Sequence, residues 1–172
     1  MKVPTAHLAV PCAVLLLLLP ASSAPRASLP EDHPEPASWS PFDLGSFTRP
    51  VSTRVPAAQR AFDQGLVWAY AFNHDEAELA FAEAARRDPA LALAWWGIAL
   101  VNGPHINNPV MSKEQAKEAW DTLQRARALA AGASEVEKAL IDALGARYAW
   151  PPPADRAPLD AAYSRAMLKV RE

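Results

Sequence analysis

An all-α architecture of stacked antiparallel helical hairpins, a helical solenoid, is the fold class the sequence predicts, and three observations carry the prediction. Alanine supplies 37 of the 172 residues against 6 glycines, and alanine is the residue least costly to place in a helix. From residue 57 onward, small and apolar residues recur at helical spacing, interrupted by short polar or proline-bearing turns. The pattern also returns on itself: a step of about 34 residues from Ala61 and Gly65 lands on Trp95 and Ala99, with Ile98 between them.

Two segments precede the helical region. Lys2 gives a positive start, Leu8 to Leu19 is almost wholly apolar and ends at Pro20, and Ala21-Ser22-Ser23-Ala24 follows. Those parts make a secretory signal peptide over residues 1–23, with cleavage expected after Ser23, and predict an exported protein, periplasmic or secreted. The apolar run is too short for a permanent membrane span, so none is expected in the mature chain. Residues 24–56 are a proline-rich tether, with seven prolines between Pro25 and Pro56. Trp39, Phe42, Leu44 and Phe47 let its second half act as a strap across the first helices; a plain spacer is the alternative.

Within Ala57 to Pro89 the helical pattern breaks once, at Asn73-His74. Either residue can start the second helix of a hairpin, Asp75 and Glu76 fall where the helix dipole is positive, Arg86 and Arg87 fall where it is negative, and Asp88-Pro89 stops it. A second unit starts near residue 91. Its two helices are separated by Gly103 to Ser112, where two prolines forbid continuous helix. Ser112 is a good N-cap for a helix from Lys113 to about Gly132. A third unit, 134–172, opens on a capping box of Ser134 with Glu137 and is interrupted by Pro151-Pro152-Pro153. Tyr163, Met167 and Leu168 would leave an apolar surface on its last helix, which predicts further chain or a partner to cover it.

These units resemble the tetratricopeptide repeat, whose first helix carries W-x2-L-G-x2-Y and whose second carries A-x3-F-x2-A before a proline. In the first unit Gly65 takes the glycine slot, Trp68 stands for the tyrosine, and Ala77, Phe81, Ala84 and Pro89 fill the second-helix slots; Ala61 and Gln64 depart from the family's Trp and Leu. Ala119, Leu123 and Ala126 repeat the second-helix spacing, and Leu144-Gly145-Ala146-Arg147-Tyr148 matches L-G-x2-Y. The resemblance implies a superhelix whose concave side binds a protein or peptide. Its inward slots correspond to Gln59, Phe62, Leu66 and Tyr70 in the first unit and Leu93, Trp96 and Leu100 in the second.

Both early turns combine histidine and asparagine: Asn73-His74 in one, His105, Asn107 and Asn108 in the other. Stacked hairpins place equivalent turns on one edge, so these residues either cap free backbone N–H groups or converge as a small-ligand site, or with His74 and His105 as the nucleus of a divalent-metal site. Asp142, Arg147 and Asp155 read as solvated. Net charge is -2 with no basic stripe, which argues against nucleic acid. The single cysteine, Cys12, lies in the signal segment. No Gly-x-Ser-x-Gly elbow, phosphate loop or His-Glu-x-x-His pair occurs, so neither an enzyme nor a cofactor is expected.

Overall fold

The structure, a computed structural model, describes residues 42–171. The signal segment, Trp39 and most of the tether lie outside the described residues. Six packed helices make up the fold, with no β-sheet among the described residues: α1 (Pro56–Tyr70), α2 (His74–Arg87), α3 (Ala92–Val101), α4 (Lys113–Leu129), α5 (Glu135–Gly145) and α6 (Ala157–Arg171). Consecutive helices pack as hairpins, α1 on α2, α3 on α4 and α5 on α6, while α2 on α3 and α4 on α5 join the pairs.

Local chemistry sets the helix ends. Pro56 occupies the first turn of α1, where its missing N–H would have been unsatisfied in any case. The Asn73 side chain accepts from Glu76 N at the start of α2, with Asp75 and Glu76 in the first turn and Arg86 and Arg87 in the last. Full capping boxes open α4 (Ser112 with Gln115) and α5 (Ser134 with Glu137). A short 3-10 turn, Ala130–Gly132, follows α4. Within α2, Glu83 accepts from Arg86 and Arg87 at 2.6 and 2.7 Å. The Arg86 hydrogen bond, joined by Arg87, outweighs the opposing effect of burial and holds the Glu83 carboxyl down at about 2.

Phe81 is the hinge-pin of the core. It is fully buried, its ring lies 5.5 Å from Phe62, and a Cβ added at Gly65 or at Gly97 would fall 2.6 or 2.5 Å from it. Two helices therefore give up side-chain volume so that one aromatic ring can sit between them. The 34-residue step from Gly65 points to Ala99, but the residue that makes room for Phe81 is Gly97. Ala99 is buried too, and its carbonyl accepts from Tyr148 Oη at 2.6 Å. α3 is apolar on all sides and has eight buried residues, because α1, α2, α4 and α5 all pack against it.

That burial corrects the expected groove. Phe62, Leu66, Leu93 and Trp96 are 1, 7, 2 and 7 % exposed, and Trp96 Nε1 donates to the Leu140 carbonyl at 3.1 Å. Helices of the same chain have taken the area that a partner would need. Leu100 is half-buried against the core. Gln59 is occupied, accepting from Val51 N and donating to Arg49 O and to Asp63. Of the seven, Tyr70 alone is freely exposed, at 76 %.

The strap exists, but polar groups fasten it. Phe42 meets Trp68 edge-on at 5.6 Å, while Phe47 is exposed and Leu44 half-buried. The stronger attachment comes from residues 48–53. Asp63 accepts from Thr48 Oγ1 (2.8 Å), Arg49 N (2.9 Å) and Gln59 Nε2 (2.9 Å). Glu137 accepts from Ser52 N (2.7 Å), Ser52 Oγ and Ser134 N (2.6 Å). Thr53 Oγ1 donates to Asp88 at 2.6 Å. Both Asp63 and Glu137 are buried, and each is tolerated there because three donors meet its charge.

Candidate functional site at the hairpin turns

At the other end of the hairpins, three turn motifs come together. His74, the first residue of α2, stacks on His105 of the α3–α4 loop with ring centroids 4.0 Å apart and planes 19° from parallel. Residues 105–108 form a tight turn in which His105 and Asn108 exchange backbone N–H···O bonds at 3.0 Å each. Past the end of α5, Arg147 donates from Nη2 to the Pro104 carbonyl and lies over the Tyr163 ring at 5.0 Å. Arg147 therefore pins the His105 loop and joins the third hairpin to the second; it is half-buried, not a solvated surface charge. Asp142 and Asp155 are exposed as expected, and Asp155 accepts from Ala157 N at 2.9 Å at the start of α6.

Next to the histidine stack lies a cavity of about 130 Å³ lined by His74, Asp75, Glu78, Asn102, His105 and Asn108, with Gln115 and a few apolar residues. Both ring nitrogens of His74 and Nδ1 of His105 are shut off from solvent without a hydrogen-bond partner. Burial, the neighbouring His105 and the Arg147 charge push the His74 pKa below its ordinary value, against the opposing pull of Asp75. The ring is therefore neutral near pH 7, with one donor and one acceptor nitrogen to satisfy.

Four large apolar side chains on these turns and the adjoining helix end are exposed, beside the exposed polar Asp75, Asn107 and Asn108. Tyr70 is 76 %, Phe72 58 %, Ile106 82 % and Val110 73 % exposed. Phe72 also has φ of 61°, a left-handed conformation that costs a bulky residue about 1–2 kcal/mol. A glycine would hold that turn at lower cost.

Of the residues anticipated from sequence, His74, His105 and Asn108 do converge on this cavity. Asn73 is the N-cap of α2 and Asn107 is exposed at the loop tip. Two stacked rings direct their in-plane lone pairs side by side and not toward one point, and no group of three or more metal-ligating side chains occurs among the described residues. The divalent-metal reading therefore lacks support. Sequence reasoning did not single out Asp63, and it named Arg147, Tyr163 and Glu137 without their tertiary partners. The Ser134 capping box did single out Glu137, but nothing in the sequence linked it to Ser52, 85 residues away.

Compared with family models, with curated proteins and with solved structures, the chain matches none. Among the described residues no helix is long and apolar enough to cross a membrane.

Proposed function

We propose that this chain is a non-catalytic binding module built from tetratricopeptide-type hairpins, that it acts outside the cytoplasm, and that it takes a protein or peptide partner on the hairpin-turn edge. The observation that carries the reading is the concentration at that edge of exposed Tyr70, Phe72, Ile106 and Val110 around a polar cavity with unsatisfied imidazole nitrogens. Large apolar side chains beside a polar anchor point are the usual anatomy of a recognition surface. Helix-pair packing and the seating of Phe81 between two glycines support the repeat assignment. Export rests on the charged start, apolar run and small-residue end of residues 1–24.

The test is photo-cross-linking in the organism that produces the protein. A cross-linking amino acid at position 106 should capture a discrete partner, whereas one at position 79, an exposed leucine on α2, should not. Ile106→Ser together with Tyr70→Ser should weaken that partner's affinity at least tenfold. Capture at 79 and not at 106, or affinity unmoved by the double change, would overturn the turn edge as the binding surface.

A further inference from the structure

The hydrogen-bonding groups still unspent around the turn cavity are unequal in kind. Asn102 has given its Nδ2 to the Ile98 carbonyl at 3.1 Å and keeps its side-chain oxygen. Gln115 has given Oε1 to Ser112 N at 2.9 Å and keeps its NH2. Asp75 and Glu78 lie three residues apart on one face of α2, line the cavity, and make no ion pair or side-chain hydrogen bond among the described residues. Each carboxylate offers acceptors only, and the neutral His74 imidazole adds one acceptor and one donor. Acceptors and negative charge thus dominate.

Opposing charges do not reverse that balance. Among the described residues His105 and Arg147, beyond the end of α5, oppose a proton on His74, and the Arg147 guanidinium is already committed to the Pro104 carbonyl and the Tyr163 ring. The start of α2 contributes a positive half-charge and the end of α3, at Val101 to Gly103, a negative one; these offset each other. A cavity of about 130 Å³ has room for a charged head group and its last methylenes; charge, more than size, chooses the guest.

We infer that this cavity receives one cationic nitrogen group from the partner, the ammonium of a lysine or the guanidinium of an arginine, while Ile106 and Val110 cover apolar residues beside it. The inference rests on the turn edge being the docking surface and adds the chemistry of its central contact. The guest's N–H groups donate to Asp75, Glu78 and the Asn102 oxygen, the acceptors that line the cavity and are left unspent by the chain. A proton on His74 would put a second positive charge in the same small space. Asp75 and Glu78 on α2, His105 from the loop and Arg147 beyond α5 are the ionisable groups facing that proton, and the last two disfavour it. Guest and proton therefore exclude one another, and bound guest must lower the His74 pKa further by reciprocity.

The full chain with ¹³C-labelled histidine provides the readout. Titrating Nα-acetyl-lysine methylamide at pH 7.5 should move the His74 and His105 Cε1–H signals saturably, with millimolar affinity. The Nε-acetylated compound, neutral at the same atom, should bind at least tenfold more weakly. Glu78→Gln, a change at a partly exposed site, should weaken the lysine compound about fivefold, and pH 5.5 should weaken it for the wild type. Equal affinity for the neutral compound, no saturable shift, unchanged affinity in Glu78→Gln, or the same shifts from zinc ion at lower concentration would each overturn the assignment. A partner captured at position 106 whose affinity ignores lysine acetylation and arginine replacement sinks the cation site alone; a failure to capture at 106 sinks the docking edge itself.

Discussion

Where α1 and α5 begin and α2 ends, Asp63 and Glu137 are buried and each carboxylate accepts three hydrogen bonds, most of them from the strap of residues 48–53. Where α1 ends and α2 begins, three imidazole nitrogens are buried with no partner, two carboxylates are unpaired, and four large apolar side chains face solvent. The residue types at the two ends are similar. The difference is whether the chain has spent its polar groups on itself, and this separates a structural clasp from a surface with bonds still to make.

The widest contrast should come from removing one carboxylate at each end. Glu137→Ala leaves Ser52 N and Ser52 Oγ without their acceptor and Ser134 N with only the longer bond to Ser52 Oγ, and about 3 kcal/mol of stability should go with it in urea unfolding. Glu78→Ala removes no bond made within the protein and should stay within about 0.5 kcal/mol of wild type. Equal losses would erase the distinction.

Acid should dissect the same two regions in sequence. The folded-state pKa of His74 is depressed below 6.5 by burial, His105 and Arg147, so below 6.5 the unfolded chain binds the proton more readily. Stability is full above that point and declines as pH falls toward the folded value, then levels off. For Glu137, burial would raise the pKa, but the hydrogen bonds from Ser52 and Ser134 prevail and depress it below 4.5. Its contribution is full above pH 4.5 and is lost as pH falls through the folded value. Glu83, held at about 2, adds to that lower window. Melting temperatures across pH should therefore show an upper decline that His74→Gln abolishes and a lower one that Glu137→Gln reduces. A single decline unaffected by His74→Gln would show that the turn edge carries no buried imidazole cost.

The smallest effect concerns Phe72. Replacing it with glycine relieves the left-handed backbone, so stability should hold or rise by about 1 kcal/mol while partner affinity falls. Destabilisation by that change would mean that Phe72 supports the fold and is not held out for a partner.

Helix ends were legible because caps, dipole complements and prolines act within three or four residues: Asn73, Ser112 and Ser134 lie where their own side chains reach the next turn. His74 and His105 were legible as a pair because the hairpin step brings their turns to one edge. Phe62 and Trp96 were misread as groove residues. Helical spacing shows that a side chain shares an apolar face, but not which neighbour reaches that face first; here Phe81 covers Phe62, and α5 covers Trp96. Gly97 was missed for a related reason, since an ideal repeat step cannot register a shift of two residues.

The sequence alone settled the helical character of the chain, its turns and the starts of its helices, because these depend on backbone propensity and on contacts within a single turn. Tertiary structure decided which polar groups were used up and which were left over. Ser52 meets Glu137, and Arg147 meets Pro104, only after separate hairpins have packed; the energy of each contact depends on burial, which no local window contains.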